Sequence, residues 1–288
     1  MGHHHSHHHA QGKNIGIAIL LNVCISILQL IGGLISGSIS LLSDAAHNFS
    51  DVFSLLLSYF THRLSHQAAN DNYTFGYGRA EILSALFNSM TLIVIAILLL
   101  FEASGRVHHP AIIEANIVIY FAFASIVINV LSVLLLHRDA KHSLNIRASY
   151  LHLLTDVLTS LAVMVGGIVM KYMDFYLIDS ILSILIAIYL IWSSYPIIRK
   201  TLCVLMHRTP QNLNIESIKQ QILYIDDIHD LERIHLWQLN ENENYFEAHI
   251  ILKKDLSVKD FEVVSQKISN LLHAEGIENI SLIPAVRK

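Results

Sequence analysis

His47-Asn-Phe-Ser-Asp51 and His152-Leu-Leu-Thr-Asp156 set the same polar pair, at the same spacing, into two stretches that otherwise read as membrane-spanning. Four residues is just over one helical turn, so each His stands above its Asp on one helix face. A buried imidazole or carboxylate is costly in lipid and is functional by default. Two such pairs facing each other would supply two nitrogens and two oxygens, a four-ligand set of the kind a divalent transition metal prefers.

The surrounding sequence makes the membrane reading firm. Of 288 residues, 53% are apolar and only 15% charged, and the mean hydropathy is +0.49. Soluble domains average about 25% charged residues. No Lys, Arg, Asp or Glu occurs from Asn14 to Ser43, from Ile82 to Phe101 or from Ala115 to Leu136. Each run is near or above the roughly 20 residues needed to cross a bilayer. Six membrane helices are predicted, over 13–35, 39–64, 79–104, 113–137, 144–171 and 177–200. The second and fifth are the least apolar, because they hold the His and Asp residues. Gly32, Gly33, Gly166 and Gly167 fall inside spans, where small residues let helices approach closely.

Beyond Lys200 the character changes. A short helix is predicted over Asn214–Tyr224, strands over Leu231–Leu239 and Tyr245–Lys253 with a hairpin turn at Asn240–Asn244, and a last strand over Ile277–Ile283. Ser257-Val-Lys-Asp260 reads as a capping box opening a helix to about Ala274. The chain thus divides into a His-rich tail (1–12), an all-α six-helix membrane bundle (13–205) and a small cytoplasmic domain (206–288). The αββαβ order of that last domain suits a two-layer α+β fold of the ferredoxin-like, metallochaperone kind.

Basic residues set the orientation. Lys13, Arg63, Arg79, Arg138, Lys141, Arg147, Arg199 and Lys200 fall on one side, and only Arg106 and Lys171 on the other. Both termini are therefore expected in the cytoplasm. The tail, His3 to His5 and His7 to His9 broken by Ser6, reads either as an expression tag or as a native metal-capturing segment. The net charge of −4 argues against a nucleic-acid partner. Cys24 and Cys203 are too few and too far apart for a disulfide framework or a Cys-rich metal site.

Single polar residues in the spans, Asn22, Gln29, Asn88 and Asn129, read as interhelical glue worth roughly 1 kcal/mol or less. The two His-Asp pairs do not, because a buried Asp needs a partner or a metal. Two imidazoles and two carboxylates favour Zn²⁺, with Co²⁺ and Cd²⁺ also suited. Cu⁺ would want sulfur, and Mg²⁺ or Ca²⁺ an all-oxygen shell. Imidazole titrates near pH 6.5, so His competes for protons in the working range. Metal binding requires neutral His and ionised Asp and therefore displaces protons. A site of this kind exposed alternately to each side is a metal/proton antiporter.

Ser40-Leu-Leu-Ser-Asp-Ala-Ala-His-Asn-Phe-Ser-Asp51, Thr74-Phe-Gly-Tyr-Gly-Arg-Ala-Glu81 and Asn145-Ile-Arg-Ala-Ser-Tyr-Leu-His-Leu-Leu-Thr-Asp156 together resemble the cation diffusion facilitators, a family of zinc/proton antiporters. The resemblance runs from Lys13 to the end. It implies six helices, a cytoplasmic metallochaperone-like domain, a homodimer, and a transport site formed by His47, Asp51, His152 and Asp156. It further implies zinc as the usual cargo, members with Asp at the position of His47 accepting cadmium and iron more readily. The short chain, with only His137 to Ser143 between the fourth and fifth spans, points to a bacterial inner membrane.

Two departures stand out. Well-known bacterial members hold a second metal in the loop after the second helix, with an Asp and two His. Here that stretch is Asn70-Asp-Asn-Tyr-Thr-Phe-Gly-Tyr77, with tyrosines in place of the His, so this loop site is expected to be absent. His62 and His66 nearby are expected to be exposed. In the cytoplasmic domain, His235-Leu-Trp237 matches a His-x-x-His-x-Trp motif whose first His has become Glu232. Glu232, His235 and His249 are the candidates for a regulatory metal there, with His229 and His273 behind them. A regular strand would send Glu232 and His235 to opposite faces, so a bulge or strand end is required. Two other functions compete: a membrane-embedded zinc hydrolase, weakened because four protein ligands leave no open position, and a zinc sensor, for which the small domain offers no effector motif.

Overall fold

The computed structural model describes residues 6–137, 144–240 and 243–285, with the side chains of 6–16, 18, 136 and 144–149 left undescribed. His3 to His5, Arg138, Lys141 and most of the short connection after the fourth helix lie outside the described residues, as do Glu241 and Asn242 of the hairpin turn. The side chains of Lys13 and Arg147 are likewise undescribed.

Six long helices lead: α1 (Ser6–Ser36), α2 (Ile39–Ser65), α3 (Arg79–His108), α4 (Ala115–Leu136), α5 (Leu144–Met173) and α6 (Leu177–Leu205). Five contain spans long and apolar enough to cross a membrane: Ile19–Ser36, Arg79–His108, Ala115–Leu135, Tyr150–Met173 and Leu177–Leu205. α2 falls short on composition and completes the six-helix membrane domain. It turns its polar residues inward: Ser40, Ser43, Asp44, His47, Asn48 and Ser50 are all buried. Phe49, Leu55 and Leu56 are exposed on its outside. The chain separates into two compact units, 1–58 with 87–197 and 59–86 with 198–288.

In the first unit, helices associate through close packing, because lipid tails remove the hydrophobic drive between them. The glycines carry the tightest approaches. A Cβ on Gly32 would lie 2.5 Å from the Phe121 ring, and one on Gly167 2.9 Å from Ile119. Large apolar side chains such as Leu34, Phe101, Tyr120 and Trp192 cover the outside. The start of α2 is held from α6. The Asp179 carboxylate accepts the Ile39 N–H at 2.8 Å and the Ser40 N–H at 3.2 Å, together with the Ser38 and Ser40 hydroxyls. A buried anion thus satisfies orphan donors at a helix N-terminus, where the dipole favours it.

The second unit contains α7 (Ile215–Leu223), β1 (Ile228–Gln238), β2 (Asn244–Leu252), α8 (Val258–Ala274) and β3 (Asn279–Ala285). The predicted αββαβ order is the observed one. Ser257 caps α8 by accepting the Asp260 N–H, and its hydroxyl donates to the Asp260 carboxylate at 2.7 Å. β1 pairs antiparallel with β2, and β2 parallel with β3. The parallel pair needs a crossover, which α8 supplies. Ile218, Ile222, Leu231, Leu236, Phe246, Ile250, Val264 and Ile268 form the core.

β1 begins three residues before the predicted Leu231, and its bulges explain the difference. Register shifts fall between Ile228 and Asp230 and between Glu232 and His235. Each re-phases the strand, so Ile228, Leu231 and Leu236 all reach the core although their spacings are odd. Arg233, in the second bulge, has φ of 50°, in the left-handed region.

Candidate metal centre

α2 and α5 bring the two sequence pairs together. His152 Nε2 lies 3.0 Å from Asp51 Oδ2, and His47 Nε2 lies 3.4 Å from Asp156 Oδ1. Within each helix the spacing is looser, 3.8 Å for His47 to Asp51 and 4.0 Å for His152 to Asp156. The closer contacts therefore cross between helices. One ligand atom from each of the four residues lies within 4.8 Å of all the others. The two rings meet edge-on with centroids 5.6 Å apart, and Tyr189 of α6 stands 6.2 Å from His47.

Burial is uneven. Asp156 is fully buried and His47 nearly so, whereas the side chains of Asp51 and His152 are 25% and 40% exposed. The site is thus closed on one side and reachable on the other. Neither nitrogen of His47 and neither oxygen of Asp156 makes a hydrogen bond. Buried polar atoms left without partners cost several kcal/mol in such surroundings. A bound cation would engage a His47 nitrogen and an Asp156 oxygen together, and two nitrogens with two oxygens fit a zinc-class ion.

Beneath the site lies a polar layer that patterning alone did not single out. Asp44 of α2 accepts from Ser160 of α5 at 2.8 Å and from Gln29 of α1 at 2.5 Å. Gln29 also donates to Ser125 of α4 at 2.9 Å and accepts from Asn48 at 2.7 Å. Ser125 and Ser160 are 2.8 Å apart. Gln29 serves as interhelical glue, as its isolated position suggested, whereas Asn129 donates to Ser125 one turn back in its own helix at 3.4 Å. Asp44 precedes His47 by three residues, and Ser160 follows Asp156 by four. Those helical spacings put both on the faces that carry the ligands, and they are the signal from which the layer could have been read.

In the second unit, the bulge required for Glu232 and His235 is present. Glu232 pairs with His249 and His235 with Glu247. Since His249 and Glu247 are two apart on a regular strand, all four occupy one sheet face, opposite the core. Their ligand atoms are not gathered, however. Among the described residues only two groups of three or more His, Cys, Asp or Glu bring ligand atoms within 4.8 Å, and this face is not one of them. His229 is exposed, and His273 Nδ1 lies 3.0 Å from the Ile277 carbonyl at the end of α8. Trp237 also lies opposite the core, stacked on Tyr245 with centroids 5.4 Å apart, and Phe75 meets Tyr245 at 5.6 Å. Tyr73 and Tyr77 of the loop after α2 pack on one another at 4.7 Å.

A polar, cation-fitting centre enclosed by membrane helices, with a small α+β domain attached, defines a membrane transporter for metal cations rather than an enzyme. The family profile described as "Cation efflux transmembrane domain" matches residues 15–206, and "Cation efflux protein, cytoplasmic domain" matches 210–280. The chain belongs to the cation efflux, or cation diffusion facilitator, family. It is 30% identical over 284 residues to the "Cadmium, cobalt and zinc/H(+)-K(+) antiporter" of Bacillus subtilis (98% of this chain, 91% of the relative). It is 30% identical over 250 residues to the "Metal cation efflux system protein CzcD" of Cupriavidus metallidurans (87% and 79%). Over 249 residues it is 29% identical to "Zinc transporter ZitB" of Escherichia coli (84% and 80%).

Proposed function

We propose that this protein exports Zn²⁺ from the cytoplasm in exchange for protons, by alternating access around His47, Asp51, His152 and Asp156. The observation that carries the reading is the convergence of those four side chains from α2 and α5, with His47 and Asp156 buried and unsatisfied. Zn²⁺ would be taken as cargo by two imidazole nitrogens and two carboxylate oxygens. Co²⁺ and Cd²⁺ fit the same donors. Cargo binding needs both rings neutral and both carboxylates ionised, so each arrival expels the protons that hold the empty site. Protons re-entering from the far side then displace the ion, and the inward proton gradient drives export. The names of the relatives, which include zinc, cadmium and cobalt with H⁺, support both the cargo and the counter-ion.

In this reading residues 13–205 form the transport domain and 206–288 a cytoplasmic domain that joins two copies into a homodimer, supported by the separate cytoplasmic-domain match. The protein sits in a bacterial inner membrane with both termini in the cytoplasm, as the basic residues suggest. Glu232, His235 and His249 are the candidates for a regulatory metal, since the bulge puts them on one face. Side-chain rearrangement would be needed to gather them.

The test is zinc uptake into liposomes under an imposed pH gradient, with Asp156→Ala as control. Proton-dependent uptake that the substitution abolishes is expected. Uptake indifferent to the gradient, or an unaffected variant, would overturn the proposal.

A further inference from the structure

His62 and His66 lie in and just after the last turn of α2, four residues apart and so on one helix face. Their rings meet with centroids 4.3 Å apart. Glu81, in the first turn of α3, points at the same place. Its Oε1 lies 3.0 Å from His62 Nδ1 and accepts the Ser65 hydroxyl at 2.7 Å. One ligand atom from each of the three lies within 4.8 Å of the others. Among the described residues, the only other group that close is the four-residue set of α2 and α5.

We propose that His62, His66 and Glu81 form a second binding site for a zinc-class divalent cation, where α2 ends and α3 begins. Two histidines at i and i+4 on a helix are a common pair of zinc ligands, because one turn brings their nitrogens to one ion. A carboxylate from the next helix adds the third ligand and leaves one position for water. Ligand atoms around a tetrahedral zinc stand about 3.4 Å apart, given Zn–N and Zn–O lengths near 2.1 Å. The His62–Glu81 pair already stands close to that separation, and a small rotamer change would bring in His66. His66 is oriented for the task, because its Nδ1 lies 2.9 Å from the His62 carbonyl. A ring nitrogen held by a backbone carbonyl leaves the other free to ligate.

His62 is 67% exposed and Glu81 about one-third exposed. A hydrated ion can therefore reach the site without a conformational change. The site takes its ligands from neither His-Asp pair. It does not rest on the transport reading, and it would stand if transport proved to be uncoupled from protons.

The test uses the full chain with the tail residues His3 to His5 and His7 to His9 replaced by Asn. Crystals equilibrated with Zn²⁺ are measured at the zinc absorption edge, and zinc stoichiometry is measured in solution. An anomalous peak bonded to His62, His66 and Glu81 is expected. His62→Asn/His66→Asn should remove that peak, leave the one at the α2–α5 site, and lower the stoichiometry by one zinc per chain. Glu81→Gln should weaken binding at this site by about 10-fold or more. No peak there at saturating zinc, or a stoichiometry unchanged by the double substitution, overturns the proposal.

Discussion

Replacing Asp179 by Asn isolates the device that fixes the start of α2. The wild-type carboxylate is fully buried and accepts four bonds, two from backbone N–H groups and two from hydroxyls. The hydroxyls can redirect, since Ser38 and Ser40 lie 3.1 Å apart and can bond to each other. The two N–H groups cannot. Each bond from a backbone N–H to an anion contributes about 1.5–3 kcal/mol, whereas a neutral one contributes about 1. Asn keeps one acceptor oxygen and turns a second N–H donor towards the donors already there. Loss of one charge-assisted bond, weakening of the other and loss of the dipole interaction (about 0.3–1 kcal/mol) sum to roughly 3 kcal/mol. Reversible unfolding in mixed detergent micelles, titrated with SDS, measures this directly. The variant should unfold at a clearly lower SDS fraction, and Asp179→Ala, which removes every acceptor, should do no better. A change below about 0.5 kcal/mol, the level of an ordinary surface substitution, would refute the assignment of Asp179 as the anchor of α2.

Other outcomes follow from the same geometry. Gly32→Leu should destabilise the membrane unit by about 1–3 kcal/mol through overpacking against Phe121, read in the same titration; an unchanged midpoint would mean that the ring can move away. His47→Asp should shift preference from Zn²⁺ towards Cd²⁺ in competition transport assays, and unaltered discrimination would count against His47 as a ligand. Asp230 is hydrogen-bonded and ion-paired to Lys219 at 3.0 Å, which lowers its pKa below the usual carboxylate value. Its stabilising effect is therefore present above the ordinary Asp range and lost as pH falls through the lowered value. Because the pair is partly exposed the effect is small, and Lys219→Met should flatten the acid limb of the stability profile slightly without changing the neutral plateau's shape.

The parts legible in the sequence were those in which one period governs a whole element. Charge-free runs and a four-residue spacing are enough to place six helices and to put His47 with Asp51, and His152 with Asp156, on single faces. They do not say which helix faces which. The structure shows the shorter contacts running between helices, His152 to Asp51 and His47 to Asp156, so the unit of the site is the cross-helix pair. The strands were legible except where the period breaks. Ile228, Leu231 and Leu236 cannot share a face on a regular strand, and only the two bulges reconcile them.

Asp44 and Asp179 were hidden for a different reason. A carboxylate in a membrane segment announces a cost but not what offsets it. Here the two costs are met in opposite ways. Asp179 gathers donors from the chain itself, so it needs no ion and belongs to the scaffold. Asp156 has no hydrogen-bond donor at either oxygen and faces His47 Nε2 at 3.4 Å, so the chain leaves it open to a ligand from outside. Asp44 stands between these cases, with Oδ2 bonded to Gln29 and Ser160 and Oδ1 bonded to nothing. Because Gln29, Ser125 and Ser160 draw α1, α4 and α5 onto Asp44, that residue ties both ligand-bearing helices to the same polar layer. In the proposed transport cycle, any motion that parts α2 from α5 must therefore break or carry along the Asp44–Ser160 bond. Ser160→Ala consequently tests the coupling: it should alter the rate of zinc transport while leaving equilibrium zinc affinity nearly unchanged, since Ser160 touches no ligand atom. Equal changes in rate and affinity would place Ser160 in the site itself and undo this separation.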